Sequence, residues 1–148
     1  MQKTMRKKLD GGPPLRATVG YAANSGGDGV AYVALHGSGP VAAERVAFKV
    51  RRHPALRGRE VGYVALREVA LKLLGDDRRS VRFIVDDESL AVDLNERRAL
   101  PGALAMPYVA LRCVLNRFSA AEVVHGPSNE TGDLRARALA EVSLRVAA

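Results

Sequence analysis

Three strand-like segments joined by glycine-rich connectors restrict the fold of this chain more than any other feature. The segments cover residues 15–23, 30–36 and 41–50, and the connectors between them read NSGGDG and GSGP. Apolar and β-branched residues are typical of strands, and clusters of glycine, asparagine and proline are typical of turns. Strands that are separated by such short connectors pair in antiparallel order. The sequence therefore predicts an antiparallel three-stranded meander.

The second half of the chain alternates between helical and strand-like patterns. In chain order these patterns predict a helix, a strand, two helices, a strand and a closing helix, at residues 60–75, 80–85, 86–98, 107–118, 120–125 and from about 129. Strands that alternate with helices pair in parallel through right-handed crossovers. The order β-β-β-α-β-α-α-β-α predicts an α/β fold with a mixed five-stranded sheet and helices packed on it.

Length and composition are those of one globular domain. The chain has 148 residues, of which 47% are hydrophobic and 26% charged. We expect a single domain over residues 15–148, preceded by a basic flexible tail at 1–14. No apolar run is long enough to span a bilayer, and no signal-peptide pattern is visible. A single cysteine, Cys113, excludes a disulfide within the chain, suits the cytoplasm and is predicted to be buried.

The net charge of +7 and the isoelectric point of about 10.1 favour a polyanionic partner, and nucleic acid is the first candidate. Solubility alone is the competing explanation. The glycines of NSGGDG join two strands rather than opening a helix, so they do not form a phosphate-binding loop. The three histidines are scattered and match no zinc-binding spacing.

Carboxylates that follow predicted strands are the stronger indication of a site. Asp86, Asp87 and Glu88 come directly after residues 80–85, and Asp133 is expected in the first turn of the closing helix. Side chains at the carboxyl ends of parallel strands line the usual crevice of an α/β sheet. Two carboxylates there could hold a hard cation such as Mg²⁺, although both could equally serve only to begin helices.

Several segments, taken in order, resemble one family. The chain from about residue 15 to 146 resembles the ribonuclease H family, and it looks most like the bacterial and archaeal type I form. The resemblance lies in the order and spacing of four segments: VGYAANSGGDGVAYVAL, GYVALREVALKLL, VDDESLAV and RFSAAEVVHGPSNETGDLRARALAE. It implies a fold in which four carboxylates hold two Mg²⁺ or Mn²⁺ ions that hydrolyse the RNA strand of an RNA–DNA hybrid.

Two of the four implied ligands are missing from the sequence. Asp87, with Asp86 as its alternative, aligns with the family aspartate of the fourth strand, and Asp133 aligns with the last one. The other two positions fall on Gly20 and Gly62. Two substitutes are poorly placed, because Glu60 lies about 200° around the helix from Gly62 and Glu68 is six positions further on. Asp28, in a turn after the first strand, is a possible substitute without further support. Metal binding is therefore expected to be weak or absent.

Basic side chains gather where the cleft is expected. The candidate nucleic-acid-binding residues are Arg51, Arg52, Arg57 and Arg59 before the first helix, Asn24 in the first connector, and Lys7 and Lys8 in the tail. Three hypotheses follow. The first is a ribonuclease H-like domain that binds an RNA–DNA hybrid or duplex with hydrolysis lost or impaired. The second is an active nuclease with a rearranged site, and the third is a protein-interaction module that reuses the fold.

Overall fold

A mixed sheet forms the centre of the molecule. The computed structural model describes residues 14–37, 41–96 and 99–147. Within these residues, five strands have the order β3-β2-β1-β4-β5. They are β1 (Leu15–Ala23), β2 (Asp28–His36), β3 (Ala43–Lys49), β4 (Ser80–Val85) and β5 (Ala120–His125). The pairs β1–β2 and β2–β3 are antiparallel, and β1–β4 and β4–β5 are parallel. The predicted sheet and order of elements are confirmed.

Helices cover both faces of the sheet. The described residues contain α1 (Arg59–Gly75), α2 (Glu88–Glu96), α3 (Gly102–Leu115) and α4 (Asn129–Ala147), with a short 3₁₀ helix at Pro54–Leu56. The main core lies between the sheet and helices α1, α2 and α3. A smaller core lies between α4 and strands β1 and β2. No helix in the described ranges combines the length and apolarity needed to cross a membrane.

Alternation along β1 decides which side chains reach each core. Ala17 and Val19 belong to the main core, and Tyr21 packs against it. Ala22 packs instead against the smaller core beneath α4. Successive side chains of a strand point to opposite faces, so odd-numbered residues of β1 face α1 and even-numbered residues face α4.

The beginning of α4 is set by a reciprocal cap. The Ser128 Oγ accepts a hydrogen bond from the Thr131 backbone N–H at 3.2 Å, and the Thr131 Oγ1 accepts one from the Ser128 N–H at 2.8 Å. The stripe that was predicted to be apolar, Leu134, Ala138 and Val142, is buried. Asp133 is the fifth residue of the helix, so it lies beyond the first turn where the sequence placed it.

Helix α3 differs from its prediction at two points. It begins at Gly102 rather than at Pro107, which lies inside the helix. Cys113 is exposed, so the prediction that it is buried was wrong. Its neighbours Leu111 and Val114 occupy the buried face, and at 100° per residue Cys113 lies well away from Leu111.

Candidate functional site

A cleft of about 650 Å³ opens at the carboxyl ends of β1 and β4. Tyr21 and Ala23 of β1, Asp86 and Asp87 after β4, and Arg135 of α4 are among the residues that line it. Neighbouring parallel strands end on the same side of a sheet, which brings these side chains together. The cleft is thus the crevice that the positions of the carboxylates predicted.

Tyr21 lines this cleft and contacts one of its carboxylates. Its hydroxyl donates a hydrogen bond to the Asp87 Oδ2 at 3.0 Å. Burial, reinforced by the Asp87 and Asp86 carboxylates, raises the pKa of the Tyr21 hydroxyl far above its usual range. The hydroxyl therefore stays protonated and acts as a donor to Asp87.

Asp87 begins helix α2 as well as lining the cleft. Its Oδ1 accepts hydrogen bonds from the Ser89 Oγ at 2.7 Å and from the Leu90 N–H at 3.3 Å. A carboxylate at this position satisfies backbone donors that the first turn leaves unpaired. Both oxygens of Asp87 thus have protein donors, one from Tyr21 and the other from α2.

Gly62 of α1 lies next to the same hydroxyl. A Cβ added at residue 62 would lie 2.6 Å from the Tyr21 Oη and 3.2 Å from the Leu90 Cδ2. The phenol of Tyr21 therefore fills the space into which a side chain at residue 62 would extend. Gly62 and Asp87 do come together, as the sequence suggested, but with Tyr21 between them.

Gly20 lies on the opposite face of the sheet. A Cβ there would lie 2.6 Å from the Leu134 carbonyl carbon and would also meet the Arg135 backbone nitrogen. The backbone of α4 approaches β1 so closely that only glycine fits. The structure thus places Tyr21, not Gly20, at the β1 position beside Gly62 and Asp87, which corrects the assignment made from the sequence.

Asp86 and Asp133 have different surroundings. The Asp86 Oδ2 lies 3.4 Å from the Arg135 Nη1, and the Asp86 side chain is only 18% exposed. Asp133 is exposed on α4 and is not among the residues that line the cleft. The pair of carboxylates predicted from the sequence, Asp87 and Asp133, therefore does not share the cleft.

The donor set does not fit a two-ion metal site. In residues 14–37, 41–96 and 99–147, no three His, Cys, Asp or Glu side chains are grouped so that they could hold a metal ion. The buried Glu60 accepts a hydrogen bond from the His53 N–H at 3.2 Å, Glu68 pairs with Arg67, and Asp28 pairs with Lys49. Each of the possible substitutes thus has a contact outside the cleft, and the buried Glu60 Oε2 has no hydrogen-bond partner among the described residues.

The four arginines that precede or begin α1 differ in their contacts. Arg51 and Arg57 are exposed, and Arg52 donates to the Ala23 carbonyl oxygen at 2.8 Å, next to the cleft. Arg59 instead forms a 2.7 Å ion pair with the buried Asp93 of α2. The segment that carries the three exposed arginines therefore borders the cleft at Arg52 and at Gly58, and Arg59 mainly joins α1 to α2.

The Asn24 side chain makes hydrogen bonds within the protein. Its Oδ1 accepts hydrogen bonds at 3.0 Å from the Gly26 and Asp28 N–H groups, and its Nδ2 donates to the Val142 carbonyl oxygen at 3.2 Å. The side chain therefore shapes the β1–β2 turn and ties it to α4, rather than facing a ligand. Lys7 and Lys8 lie outside the described residues.

The backbone closely resembles ribonuclease H structures. Ribonuclease H1 from the halophilic archaeon Halobacterium salinarum superposes with a TM-score of 0.67 at 16% identity, covering 86% of this chain and 98% of that one. LC11-RNase H1, isolated from compost by a metagenomic approach, gives 0.66 at 12% identity over 90% and 98%. Its complex with an RNA/DNA hybrid gives 0.58 at 10% identity over 86% and 97%.

The chain therefore has a ribonuclease H-like fold, as the resemblance in sequence implied. Neither a protein-family model nor a curated protein sequence matches it. Identities of 10% to 16% establish the fold alone.

Among the cleft residues that sequence reasoning missed, Tyr21 and Arg135 bear most on the chemistry of the cleft. The alternation of β1 contained the signal for Tyr21, because a residue two positions after Val19 must share its face. Arg135 carried no such signal, since its position depends on how closely α4 approaches Gly20.

Proposed function

We propose that this chain is a ribonuclease H-like domain that binds the backbone of an RNA–DNA hybrid or duplex and has lost most or all of its hydrolytic activity. The observation that carries the proposal is the Tyr21 hydroxyl between Gly62 and Asp87. It occupies space near the carboxylate where a divalent ion would need anionic ligands.

Charge supports a nucleic-acid ligand. The chain carries a net charge of +7, and Arg51, Arg52 and Arg57 are exposed in the segment between β3 and α1, which borders the cleft at Arg52 and at Gly58. Guanidinium groups bind phosphates through several donors, and this contribution requires no base recognition. A protein with the same fold, LC11-RNase H1, has been crystallised with an RNA/DNA hybrid, which makes a hybrid the first ligand to test.

Binding is tested by titrating fluorescently labelled hybrid, duplex DNA and duplex RNA at several salt concentrations. A variant with Arg51, Arg52 and Arg57 all changed to Gln is compared with one in which Arg78, Arg79 and Arg117, exposed at the other end of the sheet, are changed in the same way. The slope of log affinity against log salt concentration is negative, and each lost phosphate contact should reduce its magnitude by about 0.9. We expect the variant changed at Arg51, Arg52 and Arg57 to lose the equivalent of about two contacts from its slope. The slope of the control variant should not change.

Hydrolysis is tested on the same hybrid with Mg²⁺ and with Mn²⁺. The proposal predicts no cleavage above the background of an Asp87→Asn variant. Robust cleavage that this substitution abolishes would instead support an active nuclease with a rearranged site. Failure to bind any of the three nucleic acids at low salt would favour the interaction module.

A further inference from the structure

Arg135 brings a guanidinium group into the cleft itself. Its Nη1 lies 3.4 Å from the Asp86 Oδ2, and its side chain is 64% exposed. A guanidinium has five N–H donors, and among the described residues only this long contact engages them, which leaves most of them available to a ligand. The close packing of α4 on Gly20 fixes the position of the Arg135 backbone, and this fixes the point from which its side chain extends.

Three carboxylates line the cleft, and two of them, Asp86 and Asp87, already face donors from the protein, whereas Glu88 is exposed. Asp87 accepts from Tyr21, Ser89 and Leu90, and Asp86 faces Arg135. A cation that binds Asp86 or Asp87 would have to displace these donors and would meet the positive charge of Arg135. An anion would instead meet the Arg135 guanidinium. The contact of that guanidinium with Asp86 is at the limit of hydrogen-bond distance, so it competes only weakly with an anion.

We infer that Arg135 supplies the positive charge that binds a backbone phosphate in the cleft, so that nucleic-acid binding here needs no divalent ion. This inference rests on the proposed function and names the group that the site recognises. Arg52, which donates to the cleft residue Ala23, adds a second guanidinium nearby. Asp86 then competes with the phosphate for Arg135 and does not act as a ligand for metal.

The test uses the full chain and the labelled hybrid, with either excess chelator or Mg²⁺ at constant ionic strength. Three single variants are compared: Arg135→Gln, Asp86→Asn, and Arg117→Gln as a charge-matched control far from the cleft. Loss of one charge-assisted contact to phosphate corresponds to about a tenfold weaker affinity. We expect that loss for Arg135→Gln, little change for Arg117→Gln, and equal affinity with chelator and with Mg²⁺.

Asp86→Asn separates the two possible roles of that carboxylate. If Asp86 competes with phosphate for Arg135, its neutralisation should strengthen binding by a few-fold, with or without Mg²⁺. If Asp86 is a metal ligand, the substitution should weaken binding and only when Mg²⁺ is present. Thermal unfolding of each variant checks that the fold is intact, which we expect because the Arg135 side chain is largely exposed.

The outcomes distinguish this inference from the proposed function. If the wild-type chain binds hybrid but Arg135→Gln and Arg117→Gln weaken it equally, or if chelator abolishes binding, the inference is refuted and the proposed function stands. If the wild-type chain binds no nucleic acid with or without Mg²⁺, both are refuted.

Discussion

The contact between Tyr21 and Gly62 makes a quantitative prediction about the free energy of unfolding. We consider Gly62→Ala in the wild-type chain and in a Tyr21→Phe background. In either background alanine gains about 1 kcal/mol over glycine in a helix. The new Cβ, however, would lie 2.6 Å from the Tyr21 Oη, and the tyrosine must move to accommodate it.

Moving the hydroxyl breaks its hydrogen bond to Asp87 in a partly buried position, which costs about 1 to 2 kcal/mol. Gly62→Ala in the wild-type chain is therefore expected to range from neutral to about 1 kcal/mol destabilising. Phenylalanine at residue 21 has no hydroxyl, and only the 3.2 Å contacts to the ring carbon and the Leu90 Cδ2 remain. In that background the same substitution should stabilise the chain by up to about 1 kcal/mol.

Urea denaturation followed by circular dichroism measures the four free energies of this double-mutant cycle. The expected coupling between residues 21 and 62 is about 1 to 2 kcal/mol, within the range found for residues in contact. Equal effects of Gly62→Ala in both backgrounds would show that the hydroxyl does not occupy the space above Gly62. The placement of the Tyr21 hydroxyl between Gly62 and Asp87 would then fail.

Three further predictions concern packing and charge. Gly20→Ala should destabilise the chain by about 1 to 3 kcal/mol in denaturant, because its Cβ would lie 2.6 Å from the backbone of α4, which cannot easily move. Asp93→Asn should cost about 2 kcal/mol in the same assay by weakening the ion pair that joins α1 to α2. Burial acts to raise the pKa of Glu130, but hydrogen bonds from Thr18 and His36 outweigh it and lower that pKa. The resulting stability is present above the unfolded pKa of about 4.3 and disappears as the pH falls through the lower folded value, so Glu130→Gln should flatten the acid side of a stability–pH curve.

The architecture could be predicted because hydrophobic periodicity and turn residues carry most of its information. Each predicted strand and helix is present, and the order of strands follows from short connectors in the first half and crossovers in the second. Besides the place of Asp133 in α4, the errors lie in α3, where Pro107 was taken for a first-turn residue. Proline marks helix starts only as a tendency, and Pro101 and Gly102 supplied a competing start for the same helix.

The candidate site was predictable only in part, because distances between segments set its chemistry. Asp87 was identified from its place after β4, but its bonds to Tyr21 and to α2 depend on the packed structure. Gly20 and Gly62 look equivalent in the sequence as positions without a carboxylate. In the structure the backbone of α4 packs against Gly20, whereas Gly62 lies against the Tyr21 hydroxyl. A side chain is therefore excluded at the two positions for different physical reasons.

This difference implies that a metal site could be built in the cleft only by changing residues 21 and 62 together. Gly62→Glu alone would collide with the Tyr21 hydroxyl, and Tyr21→Asp alone would add a single carboxylate beside the already engaged Asp87. Two oxygen ligands that each lie about 2.1 Å from an ion are about 4 Å apart on opposite sides of it. Aspartate at residue 21 is shorter than tyrosine and would leave this space. Calorimetric titration with Mg²⁺ and Mn²⁺ should therefore detect binding in the variant carrying both Tyr21→Asp and Gly62→Glu, and in neither single variant. Adding Asp87→Asn should abolish that binding. Equal binding by the Gly62→Glu variant alone would refute the argument that Tyr21 blocks the site.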